Sequence, residues 1–117
     1  MRKPPLHKSF WNAFLGIFQM MITERNFKIE LLALIVNLFL VVFLKLNSTD
    51  SALILVVCFA VLTAEIFNTA IEKICDFIHP DFDAKIGFIK DISAGAVTLM
   101  AFAAVLVGLL VYPKYVF

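Results

Sequence analysis

The chain has 117 residues, which suits one domain, and 62% of them are hydrophobic while only 16% are charged. A composition this apolar indicates a membrane protein and argues against an ordinary soluble domain. Because the net charge is only +1, the chain lacks the positive surface charge that attracts the phosphates of nucleic acids, so no nucleic-acid partner is expected. The two cysteines, Cys58 and Cys75, form no CxxC pair, which argues against a disulfide framework and against a zinc site.

The first predicted element is an amphipathic helix over about residues 8–25, with a broad apolar face that is rich in aromatic residues. The segment between Lys8 and Glu24 is too short to cross a membrane readily, so this helix is expected to lie in the membrane interface. The basic start is interrupted by Pro4-Pro5 and does not resemble a signal peptide. We therefore expect residues 1–117 to form a single integral-membrane domain.

Three further helices are predicted, each long enough to cross a bilayer. The first covers about 29–46, which at about 1.5 Å per residue reaches roughly 27 Å. The second covers about 51–78 and reaches roughly 42 Å, so its C-terminal end should emerge into the headgroup region. The third covers about 92–112 and is expected to begin at Asp91 or Ser93, after a polar linker. The predicted fold is all-α, with one interfacial helix and three transmembrane helices.

The distribution of lysine and arginine predicts the orientation. Lys45 and Lys114 lie on one side of the predicted bundle, and the other positive residues lie on the opposite side. Because cytoplasmic loops carry the excess of positive charge, the N-terminus is predicted to be cytoplasmic. The residues on that side are Arg2, Lys3, Lys8, Arg25, Lys28, Lys73, Lys85 and Lys90.

A polar stripe marks the second half of the second spanning helix, where no glycine or proline interrupts the pattern. It consists of Glu65, Asn68, Glu72 and Asp76. At about 100° per residue, these four side chains fall within a stripe roughly 80° wide. An ionisable residue inside a membrane segment is a functional-site hypothesis by default. The stripe is therefore the leading candidate for the functional site.

The acids near the predicted cytoplasmic boundary suggest a site for a metal and for phosphate. Glu24, Glu72 and Asp76 lie at that boundary, and carboxylates with open positions suit magnesium bound to phosphate oxygens. Glu65 lies about 10 Å deeper along the helix, where partial desolvation suits a general base. Lys90 brings a cation that phosphate can bind. These residues alone indicate a carboxylate site at the membrane face, suited to a metal and phosphate.

Other interpretations of the same residues are open. Glu65 could be protonated and form an interhelical hydrogen bond, and Asp91 could cap the last helix or hold Lys90. Asn68 could hold Glu65 or donate to a substrate hydroxyl. A small oligomeric proton-coupled transporter that uses Glu65 is an alternative function, and a non-catalytic assembly factor is another. No GxxxxGK[ST] or GxGxxG nucleotide motif is present.

Two sequence segments carry a resemblance to a known family. They are AEIFNTAIE at 64–72, followed by Asp76, and IKDISAGAV at 89–97; TERNF at 23–27 adds to them. Together they resemble the bacterial integral-membrane diacylglycerol kinase family, which includes the undecaprenol kinases. The resemblance extends over nearly the whole chain, including the order of one interfacial and three spanning helices.

The resemblance implies a homotrimer whose active sites are shared between neighbouring protomers. It implies ATP with Mg²⁺ as the phosphoryl donor and a membrane lipid alcohol as the acceptor. It also implies a location in the inner (cytoplasmic) membrane and a role in phospholipid metabolism or in undecaprenyl-phosphate recycling.

By the same resemblance, Glu65 matches the catalytic base, and Glu24 with Glu72 matches the pair that holds the metal. The segment 81–83 occupies a loop that touches the nucleotide. Residues implied to contact ATP are Glu24, Asn68, Glu72, Asp76, Lys90 and Asp91, and residues implied to contact the acceptor are Glu65, Asn68 and Ala94.

Two positions depart from the diacylglycerol kinase pattern. Asn12 stands where an aromatic nucleotide contact is expected, and His79-Pro80 after the motif is similar to the undecaprenol branch. The sequence therefore leaves diacylglycerol and undecaprenol open as acceptors.

Overall fold

The structure, a computed structural model, describes residues 2–117, and every regular element in that range is a helix. Four long helices are followed by one short C-terminal turn of helix. In chain order they are α1 (Leu6–Thr23), α2 (Arg25–Phe43), α3 (Ser48–Ile78), α4 (Ala84–Val111) and α5 (Pro113–Val116).

A single residue, Glu24, separates α1 from α2. Its backbone is extended, with φ −104° and ψ 115°, so the chain changes direction there without a loop. Its N–H still donates to the carbonyl of Met20, and its carbonyl accepts from the N–H of Lys28. The joint therefore fixes the Glu24 side chain between two helices instead of leaving it on a free loop.

Side-chain caps explain where α3 and α4 begin. Asn47 accepts a hydrogen bond from the N–H of Asp50 at 2.8 Å, which satisfies one of the free donors of the first turn of α3. Asp83 does the same for α4, accepting from the N–H groups of Lys85 at 2.8 Å and Ile86 at 3.2 Å. Each cap is a short polar side chain of the type preferred at this position.

The predicted start of the last helix at Asp91 or Ser93 is wrong. The helix begins at Ala84, because Asp83 caps it and Gly87 inside the first turns does not interrupt the backbone hydrogen bonds. Asp91 therefore lies within α4 and cannot be its N-cap. Most of the segment expected to be a polar linker is helical.

The other predicted boundaries shift by a few residues. The helix expected over 29–46 begins directly after Glu24 and ends at Phe43, followed by Lys45 in a left-handed conformation with φ 55°. The helix expected over 51–78 begins at Ser48 and ends at Ile78, ahead of Pro80. The interfacial helix expected over 8–25 covers Leu6–Thr23.

Three of the helical segments are long and apolar enough to cross a membrane: Arg25–Phe43, Ser48–Ile78 and Ala84–Val116. The predicted all-α membrane fold with three spanning helices is thereby confirmed. Within it, α3 is the central helix, since it packs against both α2 and α4, while α1 packs on α2. A small core of Met20, Phe27, Leu34 and Leu62 joins α1, α2 and α3 near the joint.

A second polar cluster, which we call the C-terminal cluster, lies at the opposite end of α3 from the stripe. It comprises Asn47, Asp50, Lys114 and Tyr115. The Asp50 carboxylate is almost fully buried and accepts from Lys114 Nζ at 2.9 Å and from Tyr115 Oη at 2.7 Å. Tyr115 Oη in turn accepts from the N–H of Asn47 at 3.1 Å. These bonds tie α5 to the start of α3.

Candidate active site

Three carboxylates meet at the end of the bundle where α1 turns into α2. Glu24 from the joint lines one pocket of about 170 Å³ together with Glu65 and Glu72 of α3. Arg25 and Asn26, which follow Glu24 on α2, complete the lining. The structure therefore brings the predicted base and the predicted metal pair together within a single chain.

The members of the stripe differ in depth, as the sequence predicted. Glu65 is 4% exposed and Asn68 is 6% exposed, while Glu72 is half-buried and Asp76 is exposed. Thr69 beside them is also buried, at 4% exposure. The stripe thus runs from a shielded carboxyl at Glu65 to one that water reaches at Asp76.

Asn68 orients Glu72. Its Nδ2 donates to Glu72 Oε1 at 3.1 Å, one helical turn away. Its Oδ1 is buried and has no hydrogen-bond partner within residues 2–117. A buried acceptor without a partner is costly, so Asn68 keeps an unmet hydrogen-bond acceptor one helical turn from Glu72, although Asn68 itself does not line the pocket.

Lys90 pairs with Asp76 and not with Asp91. Lys90 Nζ donates to Asp76 Oδ1 at 2.5 Å, which links α4 to the water-exposed end of the stripe. The idea that Asp91 holds Lys90 is therefore wrong. Asp91 is exposed and makes no side-chain hydrogen bond or salt bridge within the part of the chain that the structure describes.

Asp91 and Ala94 do not line the carboxylate pocket of their own chain. Both are exposed on the surface of α4. Their implied contacts with nucleotide and acceptor stay predictions.

Glu30 is a further, half-buried acid that was not among the residues predicted to form the site. It lies on α2, and its Oε2 is buried without a hydrogen-bond partner in residues 2–117. It lines a cleft together with Val61, which lies one helical turn before Glu65 on α3. The signal was present, because Glu30 is an acid inside the first predicted spanning segment, where an ionisable residue indicates a site.

The donor set at the pocket fits a magnesium ion carried on phosphate. No group of three or more His, Cys, Asp or Glu residues that could hold a metal occurs in residues 2–117. Magnesium typically takes one or two protein carboxylates and completes its shell with phosphate oxygens and water. Glu24 and Glu72 supply two carboxylates in one pocket, and Asn68 fixes one oxygen of Glu72.

Comparisons with known proteins identify the family. The family model described as prokaryotic diacylglycerol kinase matches residues 11–112. The chain is 32% identical over 108 residues to the undecaprenol kinase of Bacillus subtilis (strain 168), an alignment that covers 92% of this chain and 88% of that protein. It is also 32% identical over 106 residues to the diacylglycerol kinase of Synechocystis sp. (strain ATCC 27184 / PCC 6803 / Kazusa).

The second alignment covers 90% of this chain but 61% of the Synechocystis protein. The family match includes both halves of the site, since Glu24 and the whole of α3 lie inside the matched residues. The chain belongs to the prokaryotic diacylglycerol kinase family.

Proposed function

We propose that this chain transfers the γ-phosphoryl group of ATP to the hydroxyl of a lipid alcohol at the cytoplasmic face of the membrane. Its family makes it a lipid kinase. The observation that carries the finer proposal is the single pocket in which Glu24, Glu65 and Glu72 meet beside a spanning helix.

The depth of each carboxyl assigns its task. Glu65 is shielded and lies on a helix that the acceptor lipid can approach from within the bilayer. Its carboxylate accepts the proton of the lipid hydroxyl while that oxygen forms a bond to the γ-phosphorus and the bond to the ADP oxygen breaks. Phosphoryl transfer depends mostly on positioning and charge neutralisation, and a base for the attacking hydroxyl completes it.

In this proposal Glu24 and Glu72 would hold magnesium together with the ATP phosphates. The ion would supply positive charge that offsets the negative charge of the phosphate oxygens. Asn68 keeps Glu72 in place through its 3.1 Å hydrogen bond. Lys90 pairs with Asp76 at the exposed end of the stripe, and in this proposal it is a cation that the transferred phosphoryl group can bind.

A homotrimer with shared sites accounts for the residues that the single chain leaves outside the pocket. Asp91 and Ala94 are exposed on α4, where they can act in the site of a neighbouring protomer. Both diacylglycerol and undecaprenol remain candidate acceptors, since one similar protein bears each name. The product then enters phospholipid synthesis or the recycling of undecaprenyl phosphate.

The test is an assay of purified protein in mixed micelles with γ-labelled ATP, magnesium, and either diacylglycerol or undecaprenol. We expect label in one or both lipid products. Absence of label in both lipids, with the protein folded and oligomeric, refutes the proposal. Proton flux in ATP-free liposomes would favour a transporter instead.

A further inference from the structure

A groove between α1 and α3 has no part in the chemistry described above. Ala13 and Gly16 line it on α1, and Thr69, Ala70 and Lys73 line it on α3. Its α3 side lies roughly 100° around the helix from the polar stripe. The groove and the carboxylate pocket share no lining residue. The groove is therefore a separate feature of the protein surface.

The groove is open because α1 packs on the bundle through few side chains. Within α1 only Met20 is buried. A Cβ added at Gly16 would meet no atom within 4 Å, so nothing from α3 fills the space beside it. Thr69 and Lys73 are the two polar residues of the lining, and the others are apolar. An open groove with such a lining needs an apolar occupant.

The position of α1 places the groove at the level of the lipid headgroups. α1 is not among the three segments that are long and apolar enough to cross a membrane, and its aromatic side chains, such as Phe14 and Phe18, are exposed. A helix of this kind rests with its apolar face in the bilayer and its polar face towards water. At about 100° per residue, Ala13 and Gly16 lie between these two faces. The groove therefore follows the boundary between headgroups and hydrocarbon.

Lys73 gives this boundary a positive charge. Its side chain is exposed and forms no salt bridge within residues 2–117. A lysine beside apolar surface keeps its stem on that surface and its ammonium group among the headgroups, where anionic lipids attract it. The cores of interfaces between protein chains are depleted in lysine, which argues against a second copy as the occupant.

We propose that the groove between α1 and α3 binds an anionic phospholipid of the surrounding bilayer. Its phosphate lies at Lys73, and the first part of its acyl chains covers Ala13, Gly16 and Ala70. This lipid is a different ligand from the alcohol that is phosphorylated, because it is recognised by its charge and needs no hydroxyl. The inference does not depend on the proposed kinase function.

The experiment compares phosphatidylserine, which is anionic and has no hydroxyl group to phosphorylate, with the net-neutral phosphatidylcholine. Each lipid carries a photoactivatable group in its acyl chain and is irradiated, at the same low mole fraction, with the full-length protein in bicelles without ATP. Labelled residues are mapped by mass spectrometry. We expect phosphatidylserine to label 13–20 and 66–73 about fivefold more than phosphatidylcholine does, which is the effect of one lysine near an anionic headgroup.

Two variants, each with a control, test the charge and the shape of the groove. Lys73→Gln should abolish the preference for phosphatidylserine, whereas Lys85→Gln, the same change at an exposed lysine outside the groove, should keep it. Gly16→Leu fills the groove and should remove the label of both lipids from it. Ala52→Leu adds bulk at an exposed position outside the groove and should leave the labelling unchanged.

Four results would each overturn the proposal. The first is equal labelling by the two lipids in the wild type, and the second is an unchanged preference in Lys73→Gln. The third is loss of the label when ATP and magnesium are added, which would assign the groove to the nucleotide. The fourth is a changed oligomer size in Gly16→Leu, which would assign it to a second copy. All readouts are obtained without turnover, so a failure of the kinase proposal would leave this test intact.

Discussion

Replacing Glu65 with glutamine removes the base and leaves the shape of the side chain almost unchanged. Glu65 is 4% exposed on the central helix, so a smaller residue would leave a cavity, whereas glutamine fills the same space. General-base catalysis contributes about 10²–10⁴ in rate, which is about 3–5 kcal/mol of activation free energy. We therefore expect Glu65→Gln to lower kcat by about 10²–10⁴ at saturating ATP and acceptor.

The assay is the initial rate of label transfer from ATP to lipid in micelles, with oligomer size checked by chromatography. Asp50→Asn is the matched control, because it makes the same change of carboxyl to amide at a buried position on the same helix, far from the pocket. At temperatures well below its unfolding midpoint, Asp50→Asn should keep its turnover within about twofold of the wild type. If Glu65→Gln retains turnover within about tenfold of the wild type, the assignment of the base is wrong.

Further variants test other parts of the account. Lys90→Met should lower turnover about 10²–10³-fold, because the transferred phosphoryl group loses a cation. The midpoint of thermal unfolding should change little, since the ion pair of Lys90 with Asp76 is exposed. A normal rate would show that Lys90 does not act at the phosphoryl site. Asp50→Asn should lower the midpoint of thermal unfolding in micelles, since the buried side chain loses the charge that pairs with Lys114. The control Asp91→Asn breaks no contact and should leave the midpoint unchanged. Equal midpoints for the two variants would contradict a stabilising role of the C-terminal cluster. Phe27→Ala should lower the free energy of unfolding by about 3 kcal/mol, because Phe27 is buried in the core. Phe39→Ala, on the exposed surface of α2, should change the free energy of unfolding little. Similar losses of stability in the two variants would contradict the assignment of Phe27 to the core.

The sequence was sufficient to predict the stripe on α3. Helical spacing alone places Glu65, Asn68 and Glu72 on one side, and an uninterrupted apolar run places Glu65 deeper than Glu72. The structure confirms that order of exposure. Local periodicity is reliable here because α3 is long and contains neither glycine nor proline.

The sequence could not show contacts between distant segments. The bond from Lys114 to Asp50 spans 64 residues, and the bond from Tyr112 to Asn37 spans 75. No local sequence pattern predicts contacts between residues so far apart in the chain. The start of α4 differs from the prediction for another reason. The segment 81–83 was expected to be a loop, although a short acidic side chain such as that of Asp83, directly before a helical run, is also a typical helix cap.

The buried carboxylate of Glu65 is proposed to act as the base, while the shallower carboxylate of Glu72 is proposed to hold magnesium. Equilibrium binding of a fluorescent ATP analogue, titrated with magnesium, tests this separation of tasks without any turnover. The account predicts that Glu65→Gln binds magnesium and nucleotide as the wild type does, while Glu72→Gln binds them about tenfold or more weakly, because one of two carboxylate ligands is lost. Equal loss of binding in both variants, or wild-type binding by Glu72→Gln, would contradict it.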